Sequence, residues 1–245
     1  MKKAGTGDNL KRAVGRYAVD TYVRSGMRLG LGTGSTAAHA IHRLAECIRE
    51  DTLRDIVAVP TSFQSQVMAQ ELGIPLADMN SPVIGAHLDI AIDGADEIDP
   101  ERRLIKGGGA AHLLEKVVAY NAEKFIVVAD QSKLVPHLGA GFPVPVEVVA
   151  PARRAVENAI IRLFGCRPEL RLAVRKDGPV VTDQGNLVLD LYFEEPFDPE
   201  TLEAALNDIP GVVENGIFAG ADPVVLIARE PATSGEPISV EEFIG

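Results

Sequence analysis

The 245-residue sequence contains no tryptophan, and aromatic residues of all kinds make up only 5% of it. It has two cysteines, Cys47 and Cys166, far apart and in no CxxC arrangement. That excludes a disulfide framework and cysteine-bound zinc, and predicts a reducing, cytoplasmic setting. No apolar run reaches the ~18 residues of a membrane-spanning helix, so no membrane association is expected. The opening MKKAGTGDNLKR has lysines but no apolar stretch behind them, so no secretory leader is expected. Basic residues are in deficit: 24 Lys and Arg against 35 Asp and Glu give a formal net charge of −11. Nucleic acid is therefore not an expected partner, because binding it needs a basic face. A small anionic ligand is not excluded. Charges beyond about 8 Å are screened at physiological salt, so a local group of lysines and backbone N–H groups can still hold one.

What is present is an alternation of strands and helices. Residues 10–24 carry apolar residues at helical spacing. The stretch MRLGLGTGSTAAHAIHRLAECIRE reads as strand, glycine turn and helix, with Ile41, Leu44, Ala45 and Ile48 on one face. Further strands are predicted at 55–62, in HLDIAIDGAD and at 123–130, with a helix ending at Glu71 before Gly73. Short apolar strands between helices predict a parallel sheet covered on both faces. At 142–151 the texture changes to FPVPVEVVAP, with three prolines. The order helix, strand, KDGP turn, strand, helix and a strand near VVENGIFA then completes β-α-β-β-α-β, a ferredoxin-like split. The apolar run at 222–230 is expected to return to the first sheet. The predicted fold is thus α/β: a larger Rossmann-like parallel-sheet domain (1–141 and 217–245) with an inserted smaller ferredoxin-like α+β domain (142–216).

Two glycine turns carry the chemistry. GLGTGSTA (30–37) joins a strand to a helix, where backbone N–H groups and the positive helix end favour an anion. Its glycines are spaced G-x-G-x-G, the second strand ends Val59-Pro60-Thr61-Ser62 without an acid, and no G-K-[ST] follows. Dinucleotide and P-loop readings are both weakened. The second turn, KGGGAA, follows DGADEID, which lies at the carboxyl end of a predicted strand, where open α/β sheets bind ligands. Glu115 follows on a helix among apolar neighbours, an environment that suits a base near neutrality. ADQSK ends the next strand and delivers Lys133. Within the acidic run, Glu97, Asp99 and Glu101 are read as a solvated face. The acids do not fit an EF-hand, and Lys106 nearby would compete with a cation, so no metal is expected.

The ordered motifs GTGSTAAH, DGADEID, KGGGAA, EK at 115–116, ADQSKLV, FPVPVEV, TDQGN and IPGVVENGIFA cover nearly the whole chain. This set resembles the ribose-5-phosphate isomerase type A family. The resemblance implies interconversion of D-ribose 5-phosphate and D-ribulose 5-phosphate without metal or organic cofactor, on a phosphorylated pentose, by an oligomer expected to be a homodimer. It implies a first substrate loop of Thr33, Gly34, Ser35 and Thr36, a second of Asp93, Gly94, Ala95 and Asp96, and a third of Lys106, Gly107, Gly108 and Gly109. Lys133 and Lys11 match phosphate-side lysines, and Glu115 matches the catalytic base. The family usually places a polar residue before the base, whereas this chain has Leu114. His112 stands one turn earlier.

On this reading Glu115 moves a proton between neighbouring carbons. Lys106 and the amides of Gly107–Gly109 stabilise the oxyanion, Asp93 moves protons on the sugar oxygens, and Asp96 orients Lys106 or a hydroxyl. Two rivals are a phosphosugar-binding module without catalysis and an NAD-linked dehydrogenase. The first lacks a basic helix-turn-helix before residue 30 and leaves the candidate base unexplained; the second lacks the glycine spacing.

Overall fold

The computed structural model describes residues 6–231, 233 and 236–245; the opening MKKAG lies outside them. In chain order the elements begin α1 (Thr6–Tyr22), β1 (Arg28–Leu31), α2 (Ser35–Arg49), β2 (Val57–Pro60), α3 (Phe63–Glu71) and β3 (Ile90–Asp93). Then come β4 (Glu97–Ile98), β5 (Leu104–Ile105), α4 (His112–Tyr120), β6 (Phe125–Asp130), β7 (Val144–Val148), α5 (Arg153–Phe164) and β8 (Arg167–Leu170). The chain ends with β9 (Leu187–Tyr192), α6 (Pro199–Asn207), β10 (Val212–Asn215), β11 (Ile217–Phe218), β12 (Val224–Arg229) and β13 (Ser239–Phe243).

These elements fall into two compact units. The first takes Met1–Gly94, Val117–Lys133 and Pro223–Gly245, and the second Ala95–Lys116 and Leu134–Asp222. These units divide the chain at other points than 142 and 216: residues 95–116, 134–141 and 217–222 group with the ferredoxin-like segment.

The first unit is built on a six-stranded sheet in the order β13-β12-β6-β3-β1-β2. All neighbours are parallel except β13, which runs antiparallel to β12. β3 and β6 are buried along their whole length, as expected of strands covered on both faces. α2 turns Ala37, Ala40, Ile41, Leu44, Ala45 and Cys47 inward, a spacing that keeps one helical face on the core. That core also takes Val14 and Ala18 of α1 with Leu29, Ile90, Ile126 and Leu226 of the sheet. α3 begins with a reciprocal cap between Ser62 and Ser65 and stops at Gly73, whose φ is 76°. The strand order reverses between β1 and β3, and in such sheets the loops leaving the carboxyl ends at the reversal form a ligand crevice.

In the second unit, four strands pair antiparallel in the order β10-β7-β9-β8. With α5 and α6 this is the ferredoxin-like arrangement, one face closed on Val144, Val146, Val148, Ile160, Leu189 and Leu206. Its other face is polar. Glu147 is buried there and accepts from Thr182 Oγ1 and Asn186 Nδ2, both at 2.8 Å, which joins the FPVPVEV and TDQGN segments. Burial raises the pKa of the Glu147 carboxyl, against the opposing effect of those two hydrogen bonds.

Several expectations are corrected. The VVENGIFA segment is two strands, since Gly216 separates β10 from β11, and β11 joins β5 and β4 in a small three-stranded sheet. Glu97 and Asp99, read as a solvated face, are buried. Glu97 accepts the N–H groups of Gly139 (2.6 Å), Gly141 (2.6 Å) and Phe142 (2.7 Å). Asp99 accepts from the Arg103 backbone and guanidinium at 2.8 and 2.6 Å. Only Glu101 of the three stays exposed. Replacing Glu97 by alanine would strand three amides, and an unsatisfied buried donor costs about 1–3 kcal/mol. Glu97→Ala is expected to lose about 3 kcal/mol or more of stability, read as a lowered urea midpoint; an unchanged midpoint would show that these bonds contribute nothing.

Candidate active site

In the first unit, the loops after β1 and β3 are locked together. Gly32 N–H donates to the Ile92 carbonyl at 2.9 Å. Asp93 Oδ1 accepts from Thr33 N at 3.0 Å and from Gly94 N at 2.7 Å. A side chain at position 32 has no room, because a Cβ there would lie 2.1 Å from Asp93 Oδ1. Thr33 Oγ1 reaches Thr61 Oγ1 at 2.8 Å and Ser62 Oγ at 2.6 Å, tying the turn to the end of β2. Helix α2 then starts after Gly34 (φ 99°) without a side-chain cap, leaving the helix end to backbone amides. The Gly34 N–H is held by Gln64 Oε1 at 3.0 Å, and Lys11 Nζ donates to Ser35 Oγ at 2.9 Å. Thr36 lies beside Gly94. Lys133 closes a single 3₁₀ turn after β6, at the same carboxyl edge of the parallel sheet.

In the second unit, Lys106 and Glu115 form a buried ion pair: Nζ is 3.2 Å from Oε2, with side chains 3% and 4% exposed. Lys106 follows β5 directly, and its N–H is fixed on the Gly216 carbonyl at 2.9 Å. Glu115 sits in the first turn of α4. Two ammonium groups lie over the Phe218 ring, Lys106 Nζ 5.6 Å and Lys116 Nζ 5.0 Å from its centroid. Lys116 is itself paired with Glu203 (2.7 Å) and Glu214 (2.8 Å). In the glycine turn, Asp96 Oδ2 accepts from Gly108 N at 2.8 Å. Arg171 Nη1 donates to the Gly107 carbonyl at 2.7 Å. Gly109 follows in the same turn and Ala95 in the loop after β3.

Two readings of individual side chains change, and a third side chain, His112, acquires a setting. Glu115 is not a carboxylate among purely apolar neighbours, because Lys106 is its partner. The ammonium favours the charged carboxylate and opposes the penalty of burial. Asp96 contacts the Gly108 amide, which bears on the turn rather than on Lys106. His112 is fully buried, and neither ring nitrogen makes a hydrogen bond of ordinary geometry. Burial pushes its pKa down to about 3, helped by the charges of Arg171 and Lys116; the nearby Glu214 backbone works weakly the other way. The ring packs under the turn, where a Cβ on Gly107 would lie 2.7 Å from Nδ1. The sequence reading assigned nothing to Lys116, Phe218 or Arg171. The first two fall within motifs it quoted, but Arg171 carries no local signal. A cleft of about 660 Å³ lined by Phe164, Cys166, Tyr192 and Phe197 holds none of the expected site residues. Among the described residues no three His, Cys, Asp or Glu side chains are grouped to hold a metal ion, and no helix is long and apolar enough to cross a membrane.

Residues 57–231 match the family model described as ribose 5-phosphate isomerase A (phosphoriboisomerase A). The chain is 52% identical over 229 residues to ribose-5-phosphate isomerase A of Trichormus variabilis, covering 94% of each sequence. A solved D-ribose-5-phosphate isomerase in complex with phospho-erythronic acid superposes with a TM-score of 0.88 at 40% identity, over 97% of this chain and 100% of that one. The ribose 5-phosphate isomerase A structure from Methanocaldococcus jannaschii gives 0.86 at 42% identity, over 97% and 100%.

The buried imidazole has a consequence for stability. Below its ordinary pKa of 6.5 the unfolded chain binds a proton at His112, while the folded chain stays neutral there until about pH 3. Its contribution is therefore fully present above pH 6.5 and lost as pH falls, at about 1.4 kcal/mol per pH unit. Unfolding free energies of wild type and His112→Leu, compared by urea titration between pH 7 and 4, should show the steeper decline in wild type. Parallel declines would remove His112 from the account.

Proposed function

The chain belongs to the ribose 5-phosphate isomerase A family and is an isomerase interconverting D-ribose 5-phosphate and D-ribulose 5-phosphate; from that premise we propose that Glu115 is its base and Lys106 the partner of the enediolate. The observation that carries the assignment is the buried Lys106–Glu115 pair at 3.2 Å. At an effective dielectric of 20 its Coulomb attraction is about 5 kcal/mol before desolvation, so each group keeps the other charged away from water. When Glu115 takes the proton from C2 of the aldose, its negative charge passes to the substrate oxygen. The ammonium then faces the enediolate in place of the carboxylate. One unit of negative charge is balanced by one ammonium throughout, and the proton returns to C1 from the same carboxyl.

General acid–base catalysis contributes ~10²–10⁴ in rate, while enzymes commonly reach at least ~10⁶. Oxyanion stabilisation must supply the rest, from Lys106 and the unengaged amides of the Gly107–Gly109 turn, since the Gly108 amide is already on Asp96. Asp93, whose Oδ1 holds the amides of Thr33 and Gly94, is assigned proton movement on the sugar oxygens. Lys11, Ser35, Thr36 and Lys133, with Thr33, Gly34, Gly94 and Ala95 of the two loops, are assigned to the phosphorylated sugar; the Thr33 and Gly34 amides themselves are held by Asp93 and Gln64. A helix end adds about 0.3–1 kcal/mol for an anion, less than a nearby lysine. The reading extends to a homodimer in the cytoplasm serving pentose phosphate metabolism without metal or organic cofactor.

Glu115→Gln should lower kcat by at least about 10³ with KM within a few-fold, whereas Lys133→Ala should raise KM strongly with less change in kcat. Turnover near wild type in Glu115→Gln would remove the base assignment. Activity should persist in EDTA, and solvent deuterium should enter the sugar during turnover.

A further inference from the structure

The glycine turn is held from behind. Arg171, just beyond β8, grips the Asp190 carboxylate of β9 with two prongs of its guanidinium, Nε to Oδ2 at 2.8 Å being one. Its third arm, Nη1, donates to the carbonyls of Gly107 at 2.7 Å and Gly108 at 3.3 Å. The Gly107 carbonyl also takes the Ala110 N–H at 3.0 Å, closing the turn. A trans peptide is planar, with C=O and N–H pointing in opposite directions. Fixing the Gly107 carbonyl on Arg171 therefore aims the Gly108 N–H away from it, where Asp96 Oδ2 accepts at 2.8 Å. Fixing the Gly108 carbonyl aims the Gly109 N–H the same way. One side chain thus sets two successive peptide planes. The arginine is itself 14% exposed, whereas Gly108 and Gly109 are exposed.

A guanidinium suits this task better than an ammonium. It is rigid and always charged, and it can serve a carboxylate and a carbonyl at once. Its charge polarises both peptides and so strengthens their N–H groups as donors. Asp190 balances that charge, so the brace directs the turn without adding net charge to it.

We propose that Arg171 is a positioning residue for the isomerisation: braced by Asp190, it fixes the Gly107 and Gly108 carbonyls so that the Gly109 amide points at the developing enediolate oxygen. This rests on the reading of the Lys106–Gly109 turn as the oxyanion-stabilising group.

Removing an oxyanion donor outright costs about 10²–10³ in rate, and loosening its aim should cost less. In Arg171→Gln, kcat should fall about 10–100-fold while KM changes less than about threefold. Phospho-erythronic acid, whose planar carboxylate resembles the enediolate, should inhibit more weakly by a similar factor, and inhibition by inorganic phosphate should be unchanged. Turnover within about twofold of wild type in the folded variant would overturn the proposal. Equal weakening of both inhibitors would overturn it too, because general loosening of the fold would then explain the loss. Should Arg171→Gln fail to fold, with Asp190 left unpaired, the double variant R171Q/D190N removes both charges, and the same outcomes decide. Glu115→Gln assayed alongside separates the two readings. If it retains turnover, the base assignment falls; if it is inactive while R171Q is unimpaired, only the role of Arg171 falls.

Discussion

Two opposite charges with almost no access to water set the terms for the rest of the second unit. A lone buried ammonium or carboxylate is costly, and Lys106 and Glu115 offset that cost for each other as a pair. Each comes from an element fixed independently, Lys106 from the end of β5 and Glu115 from the first turn of α4. The aromatic face of Phe218 gives Lys106 a second favourable surface, and Lys116 occupies the other ammonium position around the same ring. Lys116 in turn is balanced by Glu203 and Glu214. The charges are thereby sorted, with one lysine committed to structure and the other beside the carboxylate that does the chemistry in the proposed mechanism.

The acidic balance of the chain, −11 overall, acquires a local meaning here. Asp93, Asp96, Glu97 and Asp99 all accept backbone N–H groups. A carboxylate is a strong acceptor with several lone pairs. It can therefore organise a loop whose amides have no sheet or helix partner. DGADEID is first a set of loop anchors and only then a source of groups facing a ligand. Hydroxyls do the same work after β1, where Thr33, Thr61 and Ser62 converge.

The parallel sheet was legible because buried strands such as β3 and β6 are short apolar runs up to a closing Asp, and α2 because Ile41, Leu44, Ala45 and Ile48 repeat at helical spacing. β4 and β5 were not legible, since two residues carry no period. β13 was not among the expected strands; it pairs antiparallel with the edge that β12 offers. Glu97 and Asp99 looked solvated because charge runs usually are; their burial depends on amides more than forty residues away for Glu97 and on Arg103 for Asp99. The nearness of Lys106 to Glu115 depends on a turn that an offset of nine residues alone does not fix. Arg171 gave no sign at all, since its partners lie 19 residues ahead at Asp190 and 64 behind at Gly107.

The strand order also bears on how the chain matures. β12 adds to the outer edge of β6, yet nearly a hundred residues separate them, and the first unit takes its last piece from Pro223–Gly245. The second unit is complete by Asp222. A chain emerging from its N-terminus can therefore close the second unit while β6, an entirely apolar strand but for Asp130, still shows an open edge. Unpaired edges of that kind invite wrong partners. Until residues 224–229 arrive, the edge of β6 that β12 covers in the finished sheet has no strand beside it.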